Sequence, residues 1–132
     1  DPLVFRICDM PGYGYAKAGK EEIERWNKLI EDYLRGRANL RRVCLLIDAR
    51  RGIGAPDRKV MELLDKAAVV YQVVLTKVDK EKAGALAKIE QGVATEIVRH
   101  GAAYPEILAT SAAKRLGLEA ARASIAALAD EE

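Results

Sequence analysis

The sequence predicts a three-layer α/β fold built on a mostly parallel sheet. Short apolar runs rich in β-branched residues alternate with helix-length amphipathic segments along the whole chain. The runs are continuously hydrophobic instead of alternating, the pattern of strands covered on both faces. Polar, compact residues follow each run directly, where open parallel sheets place their ligands.

The first strand is expected over Leu3 to Cys8. From Lys20 to Arg35 the residues Ile23, Trp26, Leu29, Ile30, Tyr33 and Leu34 recur at three- and four-residue steps, a single helical stripe. The second strand runs from Val43 to Ile47. Pro56 suits the first position of the helix that follows, with Val60, Met61, Leu63 and Leu64 on its apolar side. Val69 to Leu75 is the third strand. A helix from Lys80 to Arg99 then carries Leu86, Ile89, Val93 and Ile97, with Asp79 as its expected N-cap, a basic last turn and Gly101 as its C-cap. A weaker strand around Ile107 and Leu108 precedes a last helix, Leu116 to Ala129, through Leu118, Ala121, Ile125 and Leu128. Strand and helix alternate throughout, with no repeat, low-complexity tract or interdomain linker.

The 132 residues are expected to form a single domain. Lys and Arg number 22 against 20 Asp and Glu, so bulk charge singles out no nucleic-acid partner. The clusters Arg35, Arg37, Arg41, Arg42 and Arg50, Arg51 read as a solvated rim. Cys8 and Cys44 each sit inside an apolar run and are expected as buried, reduced core thiols, not as a disulfide or metal site. His100 has no clustered ligand partners and is expected on the surface at a helix end. No apolar run approaches a membrane span and the N-terminus lacks a leader pattern, so a cytoplasmic protein with no membrane partner is expected.

The strand ends carry the chemistry. Asp9-Met10-Pro11-Gly12 follows the first strand, Asp48-Ala49-Arg50 the second, Thr76-Lys77-Val78-Asp79 the third and Thr110-Ser111-Ala112 the fourth. A carboxylate such as Asp79 can accept parallel hydrogen bonds from guanine N1–H and the exocyclic amine; adenine offers no such pair of donors. The Lys77 stem can lie over the flat face of a base, the Thr76 hydroxyl can tie neighbouring loops together, and Ser111-Ala112 can present a backbone N–H to guanine O6. Asp9 can reach Mg²⁺ through water, with the Gly12 amide aimed at a terminal phosphate. Singly these patterns are modest; Thr-Lys-x-Asp arises by chance in roughly one chain in thirty of this length. In this order, each directly after a strand, they form the succession of the third, fourth and fifth GTPase motifs.

The run from Asp9 to Lys17, Asp-Met-Pro-Gly-Tyr-Gly-Tyr-Ala-Lys, closely resembles the switch region of the EngB family of bacterial GTPases. Trp26, Leu46-Ile47-Asp48-Ala49-Arg50 and Leu75-Thr76-Lys77-Val78-Asp79 are similar to that family as well, so the resemblance covers nearly the whole chain. It implies a P-loop GTPase-like domain, with residues 1–132 as its C-terminal portion from the third to the fifth motif. It further implies GTP and GDP as ligands, Mg²⁺ with the nucleotide in the complete protein, and a role in assembling the large ribosomal subunit (rRNA and proteins), linked to septation and cell division. Position by position, Thr76, Lys77, Asp79, Thr110, Ser111 and Ala112 would hold guanine. Asp9, Met10, Pro11, Gly12 and Tyr13 would face the phosphates, Asp9 also holding the metal through water. Tyr13 stands where many relatives of Ras place a water-orienting glutamine, so no catalytic residue is assigned within the chain.

No Gly-x-x-x-x-Gly-Lys-Ser/Thr occurs in the sequence, so the amide nest and lysine that grip the β-phosphate are absent from it. The chain therefore reads as lacking the first strand and helix of the fold, as a truncated product of a GTPase unable itself to hydrolyse GTP, and with no nucleotide or metal necessarily bound. The missing strand would lie between Leu3 to Cys8 and Val43 to Ile47. The gap is expected to be closed by direct pairing, by a partner chain, for instance in a strand-exchanged dimer, or by further residues of the protein. The competing reading is a non-catalytic interaction module of GTPase fold that contacts RNA or protein near Tyr13 and Tyr15.

Overall fold

The computed structural model describes residues 24, 28, 31, 32 and 42–128. Glu24, Lys28, Glu31 and Asp32 are helical, inside the span expected for the first helix. The expected strand at Leu3 to Cys8, Cys8 itself and the segment Asp9, Met10, Pro11, Gly12 and Tyr13 lie outside the described residues, as does the pairing expected across the gap.

From residue 42 onward the elements are β1 (Val43–Asp48), α1 (Ala55–Lys66), β2 (Tyr71–Thr76), a 3-10 turn (Val78–Lys80), α2 (Ala83–Ile97), β3 (Leu108–Ala109) and α3 (Leu118–Leu128). The strands form a parallel sheet in the order β1-β2-β3. β1 and β2 pair along their full length from Val43 opposite Tyr71 to Asp48 opposite Thr76, so their carboxyl ends finish level.

Side-chain alternation divides the sheet into two faces. On one, Leu45, Ile47, Tyr71, Val73 and Leu75 pack with Val60, Met61 and Leu64 of α1 and with Val93 and Ile97 of α2. The other face is served by α3, whose Ser124 hydroxyl donates to Gln72 Oε1 at 3.1 Å. Gln72 is buried in mid-strand and its polar atoms are satisfied: Arg42 donates to its Oε1 at 3.1 Å, and its Nε2 donates to the Glu106 carbonyl at 3.1 Å. Helix, sheet and helix thus form the expected three layers.

Several local expectations are corrected. Cys44 is exposed, as is Leu46 beside it on the α3 face of β1. Among the described residues α3 reaches β2, while Cys44 and Leu46 on this face of β1 stay exposed. α1 starts one residue before Pro56, because the Gly54 N–H donates to Asp57 Oδ2 at 2.8 Å and sets Ala55 as the first residue. Asp79 does not cap α2. That helix begins at Ala83 with Lys82 in the cap position, because the 3-10 turn uses the intervening residues. α2 ends at Ile97, its last turn carries no basic residue, and Gly101 does not take the left-handed conformation of a glycine cap.

His100 is half-buried, with Nδ1 2.6 Å from Asp65 Oδ2, while Asp65 Oδ1 accepts the Ala102 N–H at 3.0 Å. The carboxylate at the end of α1 thus pins the connection between α2 and β3. Arg42 is no rim residue either: its guanidinium lies 4.0 Å from the Tyr104 ring centroid and reaches Ser124 Oγ at 3.3 Å. Among the described residues no helix is long and apolar enough to cross a membrane.

Candidate functional site

The site is assembled at the carboxyl ends of the strands. β1 ends at Asp48, and the Ala49 N–H donates to the Thr76 carbonyl at 2.9 Å, extending the ladder one step past the strand. The Asp48 carbonyl accepts the N–H groups of Arg51 and Gly52, which turns the chain back toward α1. Thr76, the last residue of β2, places its hydroxyl 3.4 Å from the Ile47 carbonyl, a long contact between the carboxyl ends of β2 and β1.

Lys77 takes a left-handed conformation, φ 58°. That bend turns the chain out of the strand and into the 3-10 turn, which the Lys80 N–H closes on the Lys77 carbonyl at 3.0 Å. Val78 is buried in the core and anchors the turn. Its N–H donates to the Thr110 carbonyl at 3.2 Å, stitching the loop after β2 to the loop after β3. Thr110 completes the stitch through its own N–H and hydroxyl, both given to the Leu75 carbonyl at 2.7 and 2.8 Å. Its hydroxyl therefore holds the scaffold.

Ser111 is fully buried. Its hydroxyl donates to Asp79 Oδ1 at 2.6 Å and accepts the Lys114 N–H at 3.1 Å. This hydrogen bond, chiefly, holds the Asp79 carboxyl below its ordinary value against the opposing effect of burial, with smaller help from the Asp79 backbone and from Lys80 and Lys114. The Ser111 N–H is spent on the Leu116 carbonyl at 3.0 Å, and Leu116 returns the bond. Of the pair Ser111-Ala112, only Ala112 is exposed. The Ser111–Leu116 bridge closes the loop, and Gly117 behind it passes so near β3 that an added Cβ would fall 1.9 Å from the Ala109 carbonyl oxygen.

The sequence reading passed over one group. Asp48 Oδ1 accepts the Arg50 N–H at 2.9 Å and Nε at 3.1 Å, Oδ2 accepts Arg50 Nη2 at 2.7 Å, and Lys77 Nζ lies 3.6 Å from Oδ2. The Arg50 hydrogen bonds, chiefly, keep the Asp48 carboxyl far below the usual carboxylate range. Arg50 was expected as solvated rim. Its position two residues after a strand-end carboxylate was the available sign of this pair.

The structure thus brings Thr76, Lys77, Asp79, Thr110 and Ser111 together, with Ala112 at the margin. Among the described residues no cluster of three His, Cys, Asp or Glu side chains could hold a metal ion.

Curated relatives align along nearly the whole chain. The sequence is 56% identical over 119 residues to the probable GTP-binding protein EngB of Chelativorans sp. (strain BNC1), covering 90% of this chain and 53% of that one. It is 50% identical over 129 residues to the protein of the same name from Rhodospirillum rubrum, covering 98% of this chain and 55% of the relative. The chain belongs to the EngB family. It spans about half the length of the curated relatives it matches. No family model matches the chain. Among solved structures, translation elongation factor SelB from Methanococcus maripaludis in its apo form superposes with a TM-score of 0.70 at 18% identity, over 80% of this EngB chain and 24% of SelB. SelB in complex with the GTP analogue GppNHp gives a TM-score of 0.65 at 19% identity. At that identity the likeness concerns the fold, and it places this EngB chain among partial α/β domains of P-loop GTPase type.

Proposed function

We propose that this chain supplies the guanine-recognising part of a GTP-binding protein. One observation carries the reading: the buried Ser111 hydroxyl fixes the Asp79 carboxylate at 2.6 Å, joining the loops after β2 and β3 at the sheet edge where ligands bind. A carboxylate so oriented, and ionised across the physiological range, is preorganised to accept guanine N1–H and N2–H₂. Lys77 would cover one face of the base with its stem, and the Ala112 amide would meet O6. Adenine presents a bare N1 acceptor there, so its binding would leave the carboxylate unpaired.

The names of the relatives, as probable GTP-binding proteins, support the same reading. GTP hydrolysis, Mg²⁺ held through Asp9, and phosphate contacts by Met10, Pro11, Gly12 and Tyr13 are proposed for the intact gene product. So are cytoplasmic work on the large ribosomal subunit and the link to septation and cell division. The interaction-module alternative leaves the convergence of Lys77, Asp79 and Ser111 unexplained.

Asp79→Asn tests the base reading. The asparagine amide offers one acceptor and one donor, matching the N1–H and C2 carbonyl of xanthine. GDP affinity of the intact gene product should fall about tenfold or more while xanthosine diphosphate gains. Unchanged GDP affinity would refute the assignment of Asp79.

A further inference from the structure

We infer that Asp48 is a positioning residue for this site: it holds the Lys77 ammonium so that the lysine stem forms a wall against the face of the base. The inference rests on the guanine reading above and adds a residue to it.

The backbone supplies the first argument. At φ 58° Lys77 occupies a conformation that glycine adopts freely and a lysine does not. The turn itself would be served by a glycine, so the lysine side chain answers a need other than the bend. The register supplies the second. Asp48 lies opposite Thr76 in the parallel pair, so its carboxylate stands one residue back on the neighbouring strand, within 3.6 Å of Lys77 Nζ. A four-carbon stem tethered at both ends, by its own Cα and by that carboxylate, is confined to a path along the strand ends.

The third argument is the rigidity of the anchor. Arg50 binds Asp48 through its backbone N–H, Nε and Nη2, and the Asp48 side chain is only 20% exposed. Such a carboxylate does not wander after the ammonium; the ammonium comes to it. The strand-end carboxylates therefore divide the work. Asp79, tied to Ser111, reads the edge of the base, while Asp48, tied to Lys77, sets what lies over its face.

Edge and face contacts have different signatures. An edge contact depends on the groups at positions 1 and 2 of the purine, whereas a wall over the ring acts alike on every purine. The test uses the intact gene product and competition binding of GDP and inosine diphosphate, which lacks the 2-amino group. Asp48→Asn keeps the shape and an acceptor for the Arg50 N–H but removes the charge. It is expected to weaken both nucleotides by the same factor, about three- to fivefold at low salt, with the difference shrinking as salt is raised. Lys77→Met keeps most of the stem without the ammonium, and in that background Asp48→Asn should change affinity by less than about twofold. Asp48→Glu provides the same cycle should the asparagine variant fold poorly, and its loss should likewise vanish with Lys77→Met. Additive effects of the two substitutions, or a loss confined to GDP, would overturn the role given to Asp48 while leaving the guanine reading in place. Failure of the unaltered protein to bind GDP would overturn both.

Discussion

Gly117→Ala is the perturbation whose sign the structure fixes most sharply. Gly117 has φ 69°, and an added Cβ would stand 1.9 Å from the Ala109 carbonyl oxygen and 3.0 Å from its carbon. Non-bonded heavy atoms keep about 3.5 Å apart, so the loop or β3 must yield by more than about 1 Å. The left-handed conformation alone costs an alanine about 1–2 kcal/mol. With displacement of backbone added, a total loss of about 2–4 kcal/mol is expected. The Ala109 carbonyl is part of β3 and cannot swing aside like a side-chain tip. Leu116, the preceding residue, exchanges backbone hydrogen bonds with Ser111, so any yielding of the loop is passed to the hydroxyl that orients Asp79. The assay is urea unfolding followed by circular dichroism, with GDP affinity measured on the same samples. Gly92→Ala is the control: it lies inside α2 with nothing within 4 Å of the added carbon. The same chemical change there is expected to stabilise by about 1 kcal/mol. The reasoning fails if both substitutions shift stability in the same direction, or if Gly117→Ala leaves stability and GDP affinity as they were.

Further predictions concern buried and charged groups. The Tyr71 hydroxyl is buried with no hydrogen-bond partner among the described residues, and burial pushes its pKa upward, so Tyr71→Phe should be neutral or stabilising by about 1 kcal/mol in thermal unfolding. A clear loss of stability would show that the hydroxyl is satisfied after all. Asp48 and Asp79 both have folded pKa values below the ordinary 3.8, so the stability they contribute is present above that value and is lost as pH falls through the folded values. GDP affinity should therefore be flat from about pH 8 to 5 with respect to these groups. Ser111→Ala removes the main cause of the Asp79 shift, and a carboxyl titration by NMR should then move up toward the ordinary value. An unmoved titration would contradict the role given to the hydroxyl.

The elements were legible in the sequence where hydrophobic periodicity and burial agree. Val69 to Leu75 reads as a strand apolar but for Gln72 because β2 is central and covered on both faces, with Tyr71 through Leu75 all buried. The same argument failed for Cys44 and Leu46, because composition tells that a residue can be buried but not whether a neighbour arrives to cover it. The candidate site residues share one place in the chain order: each polar group stands at or just after the end of a strand, and β1 and β2 finish level. Two features escaped that reading. Asp79 looked like a helix cap because Asp favours that position, yet the hydrogen bond it accepts comes from Ser111, far along the chain, and the helix starts later. Asp48 and Arg50 pair locally, two residues apart, but Lys77 joins them through the β1–β2 register, a relation between strands that no local pattern expresses. Gly117 was silent for the same reason, since its close neighbour is the Ala109 carbonyl on another element.

The central claim is that Asp79, held by Ser111, selects guanine. Equilibrium titration of the intact gene product with GDP, GTP and ATP under one set of conditions tests it most directly. The account predicts binding of both guanine nucleotides, with ATP weaker by about a hundredfold or more. Equal affinity for ATP would contradict it.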